Sequence, residues 1–149
     1  MADTPTALST ADSNELERLC RRYASAADDK DFDAMGSLFA LEGELITERG
    51  TTVGRETITK AFGGLARYDA TFHLLGQMEF WLDPPAAGTT ADGATEVSGQ
   101  VYCIAHHFTA GNDRVMYIRY HDRYVRSPSG EWQFRQRRLV VPATIDEPR

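Results

Sequence analysis

Proton transfer needs side chains that change protonation near neutral pH, and this chain of 149 residues carries four candidates, His73, His106, His107 and His121. Neutral imidazole, with an unperturbed pKa of about 6.5, is suited to removing the α-proton of a carbonyl compound, the first demand of eliminating water β to that carbonyl. A carboxylate that accepts a hydrogen bond from the second ring nitrogen fixes the tautomer and stabilises the imidazolium as it forms. A phenol can polarise the carbonyl or protonate the departing hydroxyl. His73, Asp28 and Tyr23 have the types these three parts require. Such acid-base help is worth about 10²–10⁴-fold in rate, sufficient for an activated proton.

Each of the three also has a plainer reading. Asp28 stands in an acidic helix end and alone reads as a solvated charge, Tyr23 as a core tyrosine with its hydroxyl satisfied, and His73 as a structural histidine. His106 and His107 are neighbours on a strand and point to opposite faces, so they cannot chelate one ion. A set of His73, His107 and His121 needs opposite faces as well, and no metal is expected. Gly63-Gly64 has no phosphate-loop context, which leaves nucleotide binding unsupported and no cofactor implied. Asp122 and Arg138 interrupt apolar strand faces and read first as a structural ion pair.

The elements that must position these groups follow from periodicity. Asp12 with Glu15 reads as a capping box, after which Leu16, Leu19, Cys20, Tyr23, Ala24 and Ala27 form one helical stripe. Asp31 caps a short second helix burying Phe32, Met35, Leu38 and Phe39. A hairpin at 44–48 and 51–53 turns at Arg49-Gly50, and Gly54 leads into a third helix at 56–62. From Thr71 the period becomes two. Strands are expected at 71–83, 95–109, 114–126 and 131–141, joined through Pro84 to Gly93, Ala110 to Asp113 and Ser127 to Gly130. Met116, Ile118, Tyr120, Asp122 and Tyr124 share one parity, and Trp132, Phe134, Gln136, Arg138 and Val140 another; both sets are expected to face inward. Strict alternation groups His73 with Gln77 and Glu79 on the outer face and sends Phe72, Leu74, Met78 and Phe80 inward. A bulge at Gly76 brings His73 inward instead.

Helices followed by a long antiparallel meander define an α+β class in which three N-terminal helices cover one face of a strongly curved sheet, a cone with a cavity inside. The length gives one domain, 12–141, between a flexible segment 1–11 and a C-terminal tail 142–149. Hydrophobic residues at 42% and charged residues at 26% exclude disordered or fibrous chains. Two cysteines, Cys20 and Cys103, are too few for a disulfide scaffold, and no leader or membrane span is read, so cytoplasm is the expected location. The net charge of −6 argues against nucleic acid and anionic membranes. Residues 111–149 nevertheless hold 8 basic and 5 acidic groups.

Arg22-Tyr23-Ala24, Ala26, Asp28 and Asp31-Phe32-Asp33 resemble the first-helix signature of the SnoaL-like branch of the nuclear-transport-factor-2-like superfamily. Gly54-Arg55-Glu56 with Ile58, His73, Arg119 to Arg123 and Gly130-Glu131-Trp132 through Leu139 fall where that family has similar words, covering about 12–141. The resemblance implies a cone-shaped α+β barrel whose members include dehydratases, isomerases, a dehydrochlorinase and binding-only proteins. It matches Tyr23, Asp28 and His73 to the acid-base positions of scytalone-dehydratase-like and bile-acid-dehydratase-like members.

The expected function is a cofactor-independent lyase of dehydratase type, or an isomerase, acting on a hydrophobic, oxygenated, polycyclic molecule such as a polyketide or steroid-like compound. Phe39, Tyr102, His107, Tyr120, Trp132 and Arg138 are the expected substrate-binding side chains. The competing class is a non-catalytic ligand-binding or oligomerisation module. Asp28 and His73 within hydrogen-bond reach in the interior favour the enzyme; separation or exposure favours the module. The outer face, with Arg119, His121, Arg123, Gln133, Arg135 and Arg137 opposite Glu79 and Glu96, is expected to join a homodimer or homotrimer.

Overall fold

The computed structural model describes residues 8–83 and 96–149; the first seven residues and the Pro84–Gly93 connection, with the start of the strand expected from 95, lie outside them. Helix α1, Thr10–Asp28, opens on Ser9, whose side chain accepts from the Asp12 amide at 3.1 Å. The cap is therefore Ser9 and not Asp12. Asp12 sits in the first turn, where its carboxylate complements the helix dipole and accepts from Trp132 Nε1 at 3.0 Å and from Arg126. The apolar stripe is buried as its period requires, Leu16 and Ala27 completely.

Helix α2, Phe32–Ser37, is capped by Asp31, which accepts from the Ala34 amide at 3.0 Å. It rests on helix α3, Arg55–Phe62, through Gly36, where an added Cβ would lie 1.7 Å from Thr59 Oγ1. Only glycine permits that approach. Strands β1, Phe39–Thr47, and β2, Gly50–Val53, form the expected hairpin, and a 3-10 turn at Gly63–Arg67 follows α3. The meander comprises β3, Ala70–Leu82, β4, Val97–Thr109, β5, Asn112–Arg126, and β6, Trp132–Pro148. In the sheet the order is β2-β1-β6-β5-β4-β3, antiparallel except where β1 runs parallel to β6. Three helices against one curved, unclosed sheet give the expected α+β cone. Among the described residues no helix is long and apolar enough to cross a membrane.

Bulges decide which side chains enter the cone. Between Leu75 and Met78, β3 carries one residue more than β4, and Gly76 lies at the break, its Cβ position 3.3 Å from that of Tyr102. Thr71, His73 and Leu75 therefore point inward before the break, and Met78 and Phe80 after it. Phe72 and Leu74, expected inside, stand on the outer face, 55% and 56% exposed. A second break places Tyr124 opposite Phe134 but Arg123 opposite Gln136, leaving Arg135 unmatched. The parity of β6 inverts there. Arg137 consequently faces Asp122 in the interior, while Arg138 and Val140 turn outward, reversing the sequence expectation for all three.

Candidate active site

Asp28 is the last residue of α1, which brings its carboxylate against the opening of β3. Its Oδ1 accepts from the Thr71 hydroxyl at 2.9 Å and lies 2.7 Å from His73 Nδ1; its Oδ2 accepts from the His73 amide at 3.0 Å. A carboxylate with three such partners is held in one orientation. An ionised carboxylate cannot donate, so Nδ1 carries the proton and the Nε2 of a neutral His73 ring carries the lone pair. The His73 side chain is only 6% exposed. The Asp28 side chain is 25% exposed, so the pair meets at the inner face of β3 with the carboxylate reaching in from its edge, as the inward reading of His73 requires.

His107 is the nearest further group. Its ring stands edge-on to that of His73, with centroids 5.8 Å apart, and against Tyr68 at 4.8 Å. Its Nδ1 lies 3.2 Å from the Arg114 carbonyl, an acceptor only, so the hydrogen there is donated by Nδ1–H and Nε2 is again the lone-pair nitrogen. Burial lowers the pKa of His107 against the opposing hydrogen bond to the Arg114 carbonyl, the Arg67 charge lowers it further, and the ring is neutral at pH 7. A cavity of about 300 Å³ opens beside it, near the turn between β4 and β5, lined also by Arg49, Arg67, Tyr68, Thr109, Asn112 and Arg114.

Tyr23 lies deeper. Its ring is edge-on to Phe62, Tyr120 and Phe134, with centroids 5.7–5.9 Å apart, and tilted against Phe39 at 6.4 Å. Burial is the main cause that pushes its hydroxyl up to about 12, so Tyr23 remains a phenol. The Cys103 thiol, within electrostatic reach of Asp28, is likewise raised by burial to about 11 and stays protonated.

The expected substrate-binding side chains divide. His107 borders the open cavity, whereas Phe39 and Tyr120 are packed in the interior at 0% and 1% exposure. Trp132 is tied to Asp12 at the start of α1, with Arg126 over its ring at 4.4 Å. Tyr102 is on the outer face, because Val101 and Cys103 take the inward parity of β4, and Arg119 covers its ring at 5.0 Å. Arg138 is exposed for the reason given above. The sequence reading missed Thr71, which shares His73's parity and could have been found from it, and Arg137.

Arg137 is fully buried. It makes a bidentate contact to Asp122, both distances 2.9 Å, and its guanidinium carbon lies over Tyr120 at 3.8 Å and over Tyr23 and Phe134 at 4.3 Å. Among the described residues its Nη1 has no hydrogen-bond partner. Among the same residues no group of three or more His, Cys, Asp or Glu side chains is placed to hold a metal ion.

The helix-covered, unclosed cone is the nuclear-transport-factor-2-like fold of α+β protein. The model of the SnoaL-like domain matches residues 9–138, and the chain belongs to that family. Solved structures of the same fold include a putative scytalone dehydratase from Novosphingobium aromaticivorans, 20% identical over 92% of this chain and 88% of that one, with a TM-score of 0.77. A hexachlorocyclohexane dehydrochlorinase, LinA-type3 from Novosphingobium barchaimii, is 15% identical over 92% and 90%, with a TM-score of 0.74. ActVI-ORFA from Streptomyces coelicolor is 20% identical over 89% and 98%, with a TM-score of 0.70. At these identities the likeness is one of fold. No curated protein matches the chain.

Proposed function

We propose that this chain is a cofactor-independent lyase of dehydratase type, or an isomerase, in which His73 is the base. The observation that carries this reading is the 2.7 Å contact between Asp28 and His73 Nδ1 inside the cone. His73 Nε2 takes the α-proton of a β-hydroxy carbonyl substrate; the C–H electrons form the new double bond as the β C–O bond breaks. The departing hydroxide takes that proton from the imidazolium and leaves as water, which returns His73 to its neutral form. Asp28 positions the ring and stabilises the imidazolium. His107, through its lone-pair nitrogen, accepts a hydrogen bond from the substrate. In an isomerase the imidazolium instead returns the proton to a different carbon.

The substrate is a hydrophobic, oxygenated molecule. Because the aromatic rings of the interior pack on one another, the open cavity beside His107 sets its size, and about 300 Å³ is at the small end of ligand cavities. That volume suits one or two fused rings more than the larger polycycle expected from the sequence. A panel of β-hydroxy ketones on one- and two-ring frames, followed by the absorbance of the enone formed, tests the reading. Turnover by the protein and its loss in His73→Ala is the expected result. Ligand binding with no turnover across the panel would favour the binding-module alternative.

We also propose that the outer sheet face joins copies of this chain into a homodimer or homotrimer. Leu74, Ile104 and Tyr117 are exposed there around an apolar groove. Three groups expected to pair across this interface are otherwise engaged: Arg137 is internal, and Arg135 and Glu96 lie 3.2 Å apart within one chain. Apolar contact then outweighs charge, and high salt should weaken the assembly less than a charged interface would imply. Ile104→Glu is expected to yield single chains by light scattering. A wild-type protein that is already a single chain at low salt and high concentration contradicts this assembly.

A further inference from the structure

The cavity beside His107 collects positive charge in a chain whose net charge is −6. Arg49 comes from the turn between β1 and β2, Arg67 from the 3-10 turn, and Arg114 from β5, three separate segments that meet around the cavity beside His107. Arg114 is neutralised by Asp146, whose oxygens it contacts at 2.9 and 3.2 Å. Arg67 donates to the Tyr68 hydroxyl at 2.9 Å. Lys30 approaches the same segment from α1's end, donating to the Tyr68 carbonyl at 2.7 Å and the Asp69 carbonyl at 3.2 Å. Among the described residues neither Arg49 nor Arg67 has a carboxylate within ion-pair distance. Two arginines brought together without counter-charges repel each other, and an anion between them relieves that repulsion while using their planar donor forks.

We propose that this cavity binds an anionic oxygen group of the substrate, a carboxylate or a phosphate ester, between Arg49 and Arg67, so that the molecule delivered to His73 is an organic acid. The proposal rests on the acid-base reading of His73: the cavity borders His107 and not His73 itself, and the His107 ring, 5.8 Å from that of His73, is the one side chain linking the two. The anion is held at the rim. The neutral part of the molecule then extends past Tyr68 and His107 toward His73, and neutral analogues of equal shape lose the contact that orients them. His107, being neutral, adds no charge to the cavity and discriminates by hydrogen bonding instead.

Titration calorimetry with 2-naphthoate, 2-naphthol and inorganic phosphate tests this on the whole chain. Naphthoate is expected to bind at least about tenfold more tightly than naphthol, and Arg49→Gln or Arg67→Gln to weaken naphthoate about tenfold without changing naphthol. Arg21→Gln on the exposed side of α1, which changes net charge equally, should alter neither. Phosphate that displaces naphthoate identifies a phosphate ester as the natural group; phosphate that does not identifies a carboxylate. Equal binding of naphthoate and naphthol, no binding of either, or naphthoate binding untouched by both arginine substitutions overturns the proposal. Circular dichroism confirms that the variants are folded. If the anion preference fails while His73→Ala still abolishes turnover, only this inference falls. If the preference holds while His73→Ala retains turnover, the acid-base reading falls and the anion site stands.

Discussion

His73→Ala is expected to reduce turnover by about 10²–10⁴-fold, the range that a single general base supplies. Asp28→Asn is expected to come close to that loss by a different route. The amide it installs can donate where the carboxylate only accepts, so Nδ1 no longer has to carry the proton and the base at Nε2 is forfeited in part of the molecules. Because the two groups act as one unit, their effects should not add, and the double variant should be little worse than the worse single one. Both substitutions spare the apolar stripe of α1, so the fold should survive. Asp28→Asn also weakens the bonds from the Thr71 hydroxyl and the His73 amide, and a modest loss of stability, about 1–3 kcal/mol, accompanies it. Steady-state kinetics on any productive substrate decides the matter. Losses that multiply in the double variant would mean that the pair does not work as a dyad.

Asp122→Ala is expected to destabilise the fold by about 3–5 kcal/mol, because it strands a buried guanidinium without its counter-charge. The Arg137 side chain has no exposure through which to reach water. Its neighbours, Tyr23, Tyr120 and Phe134, offer ring faces to the cation but cannot neutralise it. Tyr124, which donates to Asp122 at 2.7 Å, loses its acceptor at the same time. Removing both charges with Asp122→Leu and Arg137→Met should restore much of the loss, since well-packed apolar side chains often replace a buried ion pair without net cost. Arg138→Ala should change stability by no more than about 0.5 kcal/mol, as an exposed position does. Urea unfolding midpoints compare the four proteins. If Arg138→Ala proved as damaging as Asp122→Ala, the face assigned to each arginine of β6 would be wrong.

That contrast between adjacent arginines shows what the sequence can convey. Where a bulge carries a glycine, as at Gly76, the break in alternation is visible and the inward position of His73 follows from it. At Arg135 nothing in the residue types marks the extra position, and alternation carried past it names Arg138 when Arg137 is the buried partner. Tyr102 illustrates a second limit. Both parities of β4 hold apolar residues, Val101, Cys103 and Ala105 on one and Tyr102 and Ile104 on the other, so periodicity alone gives no inner face. The helical stripe was legible because its polar and apolar positions separate cleanly. The cap was less so, since Ser9 and Asp12 both suit a helix start and only the bond from the Asp12 amide distinguishes them. The packed interior could not be read at all. Phe39 and Tyr120, expected to line a ligand site, close instead with Phe134 on Tyr23 and Arg137, and the open cavity beside His107 is bordered by neither of them.

The central claim is that Asp28 holds His73 with its proton on Nδ1, leaving Nε2 as the base. Long-range ¹⁵N–¹H correlation spectra of the histidine rings, recorded where His73 is neutral and assigned with His73→Ala, read that tautomer directly. The account predicts a protonated Nδ1 and an unprotonated Nε2 for His73, with the Nε2–H form appearing in Asp28→Asn. A ring protonated on Nε2 in the unaltered protein would contradict it.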